Sequence, residues 1–152
     1  MTCSVGARWE VVGHTEAELA VMTAGDLQQV ALGLVDGWHP LATAMVGHWD
    51  VPATFPQPIR TSVPIGPWEP SRVTLVGDAI HAMSPAAGAG ANTALRDGAA
   101  LASALAGAPL LDAVAEYETA MVDYGFAAVR ESAENGLRYL GQNPLAATRR
   151  SL

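Results

Sequence analysis

The stretch GDAIHAMSPAAGAGAN, from Gly77 to Asn92, follows the apolar run Val73-Thr74-Leu75-Val76 and carries an Asp, a His, a Pro and three glycines. No other feature constrains the fold as much. The run Arg72–Val76 is short, β-branched and, past Arg72, continuously apolar, the pattern of a strand buried on both faces. From about Gly90 the pattern becomes helical. A strand that ends in Gly77-Asp78 and returns through a glycine loop into a helix sets a ligand at its carboxyl end, where open α/β sheets gather theirs. The expected fold class is therefore α/β.

The residue types say what such a loop binds. The Asp78 carboxylate only accepts hydrogen bonds, which suits ligand hydroxyls. Gly88 and Gly90 have no Cβ, so a flat or anionic group can meet the backbone directly. The first N–H groups of the following helix, at Gly90, Ala91 and Asn92, favour negative charge in front of them. These residues describe a site for a hydroxylated, partly anionic cofactor. The competing reading is a tight left-handed turn with Asp78 as its local cap.

Composition narrows the partners. At 152 residues the chain is one domain or part of a larger one. Its formal charge of −7 argues against nucleic acid or an anionic membrane surface. All of its basic residues are Arg, which excludes a Walker A loop and a lysine Schiff base. Cys3 is the single cysteine, and the four histidines show no ligand spacing, so neither a disulfide nor a metal site is expected. No signal peptide or membrane-spanning run is visible, and a cytoplasmic protein is expected.

Along the chain, Arg8–Val12 alternates as a short strand. Asp26 precedes Leu27, Val30, Ala31, Leu34 and Val35 at helical spacing and reads as their N-cap, with Gly37 as the stop. Pro40 opens a short helix from Leu41 to about Trp49. The segment Val51–Pro70 holds six of the ten prolines and is extended, with Ile59–Val63 its best strand. After Gly90, Ala91, Ala94, Leu95, Gly98, Ala102 and Leu105 form a helical stripe, ended by Gly107 and Pro109. A last long helix sets Val114, Tyr117, Met121, Tyr124 and Ala128 on one face, with Glu116, Glu118, Asp123 and Glu131 largely elsewhere. It fades beyond Gly136, and Asn143-Pro144 marks its stop.

Gly77-Asp78-Ala79-Ile80-His81, followed by Pro85, Gly88, Gly90 and Asn92, resembles the second flavin fingerprint of the class A FAD-dependent monooxygenases. These are aromatic-ring hydroxylase-like enzymes with the hydroxybenzoate hydroxylase fold. Weaker matches extend through Trp38-His39-Pro40, Arg60, Ser62, Pro64, Trp68 and the Tyr117-Glu118 helix. The resemblance implies the C-terminal part of a glutathione-reductase-like FAD-binding fold, with short strands followed by two long helices. It implies that residues 1–70 end a substrate domain with connecting helices and that residues 71–152 belong to the FAD-binding domain. Gly77 and Asp78 would then hold the ribityl chain, Pro85 would lie near the reactive edge of the isoalloxazine, and Gly88, Gly90, Ala91 and Asn92 would face its N1–C2=O region. It also implies NAD(P)H as reductant and an aromatic or polycyclic small molecule as substrate. Oxygen activation belongs to the flavin, so no catalytic acid or base is assigned. His81 reads as packing or capping beside the loop, Arg60 as an ion pair, and Trp38-His39-Pro40 as a helix start.

The G-x-G-x-x-G that holds the ADP half of FAD does not occur; Gly88-Ala89-Gly90-Ala91-Asn92-Thr93 ends in Thr. The expectation is a C-terminal portion, completed by another chain or by self-association and not competent alone for hydroxylation. Two rival readings remain. One is a flavin-free binding or interaction module. The other is a cofactor-independent cyclase or isomerase, which requires a closed apolar pocket beside Asp78.

Overall fold

The structure is a computed structural model that describes residues 3–146. Contacts divide it into two units, Met1–Pro58 and Ile59–Leu152. Among the described residues there are helices and turns and no strand, which corrects the α/β expectation at each of its three strands.

The first unit contains α1 (Trp9–Val12), α2 (Glu16–Val21), α3 (Ala24–Leu34), α4 (Pro40–Gly47) and a 3-10 turn at Val51–Ala53. The predicted strand Arg8–Val12 is instead the single turn of α1. With no neighbouring strand to pair with, its amides bond locally: Val12 N–H donates to the Arg8 carbonyl at 3.0 Å, and Gly13, at φ +74°, closes the turn. The cap of α3 is Thr23 rather than Asp26. Asp26 stands three residues inside and returns the bond, its Oδ2 accepting from the Thr23 hydroxyl at 2.6 Å while the Thr23 oxygen accepts the Asp26 N–H at 3.2 Å. Thr15 and Glu18 repeat this reciprocal cap on α2. Ala31, Val35 and Val46 form the core of the unit. Gln28 ties α3 to the end of α4 by donating to the Val46 carbonyl at 3.0 Å.

The second unit contains an extended segment, then α5 (Asp78–His81), a 3-10 turn at Pro85–Ala87, α6 (Gly90–Gly107) and α7 (Leu110–Leu140). The two long helices stand where the sequence places them. They pack along each other over a core of Ile80, Tyr117, Met121, Phe126 and Val129, with Trp68, Met83, Leu101 and Val122 against it. Helix α7 runs past Gly136 to Leu140 and ends at Gly141, φ +64°.

Neither Ile59–Val63 nor Arg72–Val76 is a strand, and Arg72–Val76 is not buried: Val73 is 74 % exposed. It is held from α7 by side chains instead of a ladder. The Tyr117 hydroxyl donates to the Leu75 carbonyl at 2.8 Å, and the Thr74 hydroxyl donates to Glu118 Oε1 at 2.8 Å. Glu118 is thus buried, against the expectation that it lies off the packed face. The α6 stripe also needs correction. Leu95 and Leu105 face outward, while Thr93 and Asp97 turn in with Leu101 and Ala104.

Candidate functional site

Gly77 begins the site. Its backbone (φ +59°, ψ −138°) lies in a region open essentially to glycine alone. A Cβ there would also come 3.1 Å from the Cβ of Ala94, so the turn lies directly on α6. The Gly77 carbonyl accepts from the Ile80 and His81 N–H groups at 3.1 and 3.0 Å, which winds the single turn of α5. That turn buries Ile80 and His81 and leaves the Asp78 carboxylate exposed.

The loop then crosses α7. The Ser132 hydroxyl donates to the Ser84 carbonyl at 2.6 Å, deep between the elements. Pro85 starts the 3-10 turn, and Gly88, at φ +62°, turns the chain toward α6. Nothing lies within 4 Å of where a Gly88 Cβ would stand, so its requirement is the backbone angle and an open face. Helix α6 begins after Ala89, whose methyl cannot accept a hydrogen bond. No side-chain cap serves this 18-residue helix among the described residues.

Beside this start is an open cavity of about 490 Å³, lined by Gly88, Ala89, Asn92, Arg96, Tyr124 and Glu131 among others. The Arg96 guanidinium lies 3.8 Å over the Tyr124 ring. The predicted residues are therefore distributed unevenly. Gly88 and Asn92 line the cavity. Gly90 and Ala91 form the first turn of α6, while Asp78 and Pro85 are exposed on the loop outside the cavity lining. Gly77 is buried and contributes shape.

Sequence reading missed the centre beneath the loop. Asp97, on α6, is fully buried and accepts three hydrogen bonds: from Gly77 N–H at 2.6 Å, from His81 Nε2–H at 2.7 Å and from the Tyr124 hydroxyl at 2.7 Å. Bonding to Asp97 fixes the Nε2–H tautomer of His81, whose Nδ1 has no partner among the described residues. His81 packs, as expected, with its ring against Gly125. Burial, and then the bond to Asp97, pushes the Tyr124 phenol well above its usual range, so it stays a donor. Burial likewise raises Tyr117, with the charges of Asp97 and Glu118 adding to it. A signal for Asp97 did exist. It stands three residues after Ala94 and four before Leu101, an acid on the packed face of a helix, which needs donors from a neighbour.

These features fit a flavin. The exposed Asp78 carboxylate suits a polyol, and the bare Gly88 turn lets a ring approach closely. The uncapped start of a long helix favours the electron-rich side of that ring. Among the described residues no three His, Cys, Asp or Glu side chains group to hold a metal, and no helix is long and apolar enough to cross a membrane.

Comparison with known proteins places the same segment. Residues 61–115 match the FAD binding domain family. A dual O-methyltransferase/FAD-dependent monooxygenase of Cercospora beticola is 35 % identical over 122 residues, 77 % of this chain and 14 % of that protein. The protein of the same description from Phaeosphaeria nodorum is 42 % identical over 78 residues, 50 % of this chain and 8 % of its own length. The aurachin C monooxygenase/isomerase of Stigmatella aurantiaca is 32 % identical over 99 residues, 64 % of this chain and 26 % of that protein. The chain thus spans about a quarter or less of the length of these relatives. No solved structure matches it.

Proposed function

We propose, from the match of residues 61–115 to the FAD binding domain family, that this chain supplies the flavin loop of an FAD-dependent monooxygenase acting on an aromatic or polycyclic small molecule. The observation that carries the reading is one loop with two unlike ends. Gly77-Asp78 presents an exposed carboxylate, and Gly88–Asn92 presents an uncapped helix start beside an open cavity. A polyol joined to an electron-rich ring addresses both.

In this reading Asp78 accepts hydrogen bonds from the ribityl hydroxyls. The Gly90, Ala91 and Asn92 N–H groups face the N1–C2=O side of the ring, where the α6 dipole favours negative charge. Pro85 and Gly88 bound the ring without polar competition. The flavin, when bound, supplies the redox chemistry between NAD(P)H, dioxygen and substrate. The ADP half of FAD falls to residues outside these 152, as on a completing chain. The extended segment before Gly77 and the two long helices correspond to the C-terminal part of a glutathione-reductase-like fold. A flavin-free cyclase or isomerase would need an enclosed apolar pocket at Asp78, and Asp78 is exposed instead.

Competition separates this reading from a generic nucleotide site. The chain is titrated into FAD while flavin fluorescence is followed, then challenged with FMN and with ADP. FMN, which carries both the ring and the ribityl chain, displaces FAD; ADP does not. Displacement by ADP and not by FMN overturns the assignment.

A further inference from the structure

The loop from Gly77 to Gly90 is closed at its base by one carboxylate. Asp97 lies about two turns into α6, the helix that receives the loop's far end at Gly90. Its Oδ2 accepts from the N–H of Gly77, at the loop's beginning, and from the His81 ring; its Oδ1 accepts from Tyr124. Both ends of the loop are thereby fixed to one rigid helix. A carboxylate this deeply buried is tolerated only when donors surround it, so the three bonds and the charge form a single unit. Asp78 is the next residue after Gly77, and its backbone direction follows from the turn that Asp97 holds. Through Tyr124 the same carboxylate reaches the wall of the cavity bounded by Gly88 and Asn92.

We propose that Asp97 is the positioning residue of this loop: by holding the Gly77 N–H, the His81 ring and the Tyr124 hydroxyl, it fixes Asp78 relative to the start of α6. The ligand in this inference rests on the flavin reading above; the geometry rests on the hydrogen bonds alone. Asp97 itself touches no ligand. It acts through Asp78, by ordering the loop before binding so that binding need not order it.

The test is Asp97→Asn in the full chain, which keeps the shape and turns an amide toward one of the donors. Two readouts separate the two levels of the claim. Hydrogen exchange at the Gly77 amide needs no flavin. It speeds by about tenfold or more in the variant, while the Val129 amide in the α7 core keeps its protection. FAD affinity, read by flavin fluorescence, falls about tenfold in the wild-type background and less than about threefold in an Asp78→Ala background, because positioning loses its effect when its object is gone. Unchanged Gly77 exchange overturns the proposal. So do equal affinity losses in both backgrounds, which would reduce Asp97 to general support of the fold. Should Asp97→Asn lose helical signal, Tyr124→Phe decides by the same readouts. That variant keeps the charge and removes one donor, and smaller changes of the same pattern are expected. A wild-type chain that binds no flavin refutes the ligand reading, and Gly77 exchange then decides whether Asp97 holds the loop.

Discussion

An alanine at position 125 sets helix propensity against packing. Gly125 lies inside α7, where alanine is favoured over glycine by about 0.8–1.0 kcal/mol. On propensity alone, Gly125→Ala stabilises. The structure gives the opposite sign. The new methyl would lie 2.6 Å from Cδ2 and 3.2 Å from Cγ of His81, where carbon atoms prefer roughly 3.5–4.0 Å. His81 has nowhere to go, since it is 1 % exposed and bound to Asp97 at 2.7 Å. Either α7 shifts, an overpacking cost of about 1–3 kcal/mol, or the imidazole leaves Asp97, which forfeits about 1.5–3 kcal/mol for a bond to a charged group. After the propensity gain, the net is a destabilisation of up to roughly 2 kcal/mol. Gly98→Ala is the control: α6 leaves that position exposed, with nothing within 4 Å of the added carbon. It stabilises by about 0.5–1 kcal/mol. Equilibrium urea unfolding followed by circular dichroism measures both. A Gly125→Ala chain stabilised as much as Gly98→Ala would refute the wedge between α7 and His81.

Further perturbations probe the segment before the loop and the caps. Thr74→Val leaves the buried Glu118 carboxylate without its one donor among the described residues and costs about 1–3 kcal/mol in urea unfolding; a neutral result would mean that Glu118 finds water instead. Tyr117 and Tyr124 hold their protons more tightly in the fold than the usual tyrosine value of 10.0. Above that pH the folded state binds more protons than the unfolded one, so stability falls as pH rises, and Tyr124→Phe blunts the fall in alkaline melts. In the first unit, backbone and side-chain bonds from Thr15 lower Glu18, and bonds from Thr23 lower Asp26. Their contribution is present above the ordinary values of 4.5 and 3.8 and is lost as pH falls below them. Acid titration followed by circular dichroism should show helix loss that Thr15→Ala and Thr23→Ala reduce.

The legible parts of the sequence were those decided by local chemistry. Gly88 in a left-handed turn, Gly90 opening α6, and the Tyr117–Met121 face of α7 all follow from backbone freedom and period. The strands failed for a shared reason. Arg72–Val76 has the composition of a buried strand, yet a strand requires a neighbour, and in this chain its backbone is met by the Tyr117 hydroxyl. Arg8–Val12 had no neighbour either and closed on itself. Leu95 and Leu105 point the α6 stripe to the wrong face because apolar spacing carries no sign that Asp97 is buried among donors. The Asp97 centre joins residues 77, 81, 97 and 124, and that joining is tertiary. The fingerprint marks the loop's surface; what holds the loop from below lies on the packed faces of two helices.

Comparison of the wild-type chain with Asp78→Ala decides whether Asp78 and the start of α6 address one flavin. Flavin fluorescence is followed as each protein is titrated, with melting curves recorded in parallel. The expected result is saturable binding by the wild type and a loss of about tenfold or more in Asp78→Ala at unchanged melting temperature, because Asp78 is exposed. Equal binding by both proteins, or none by either, would contradict it.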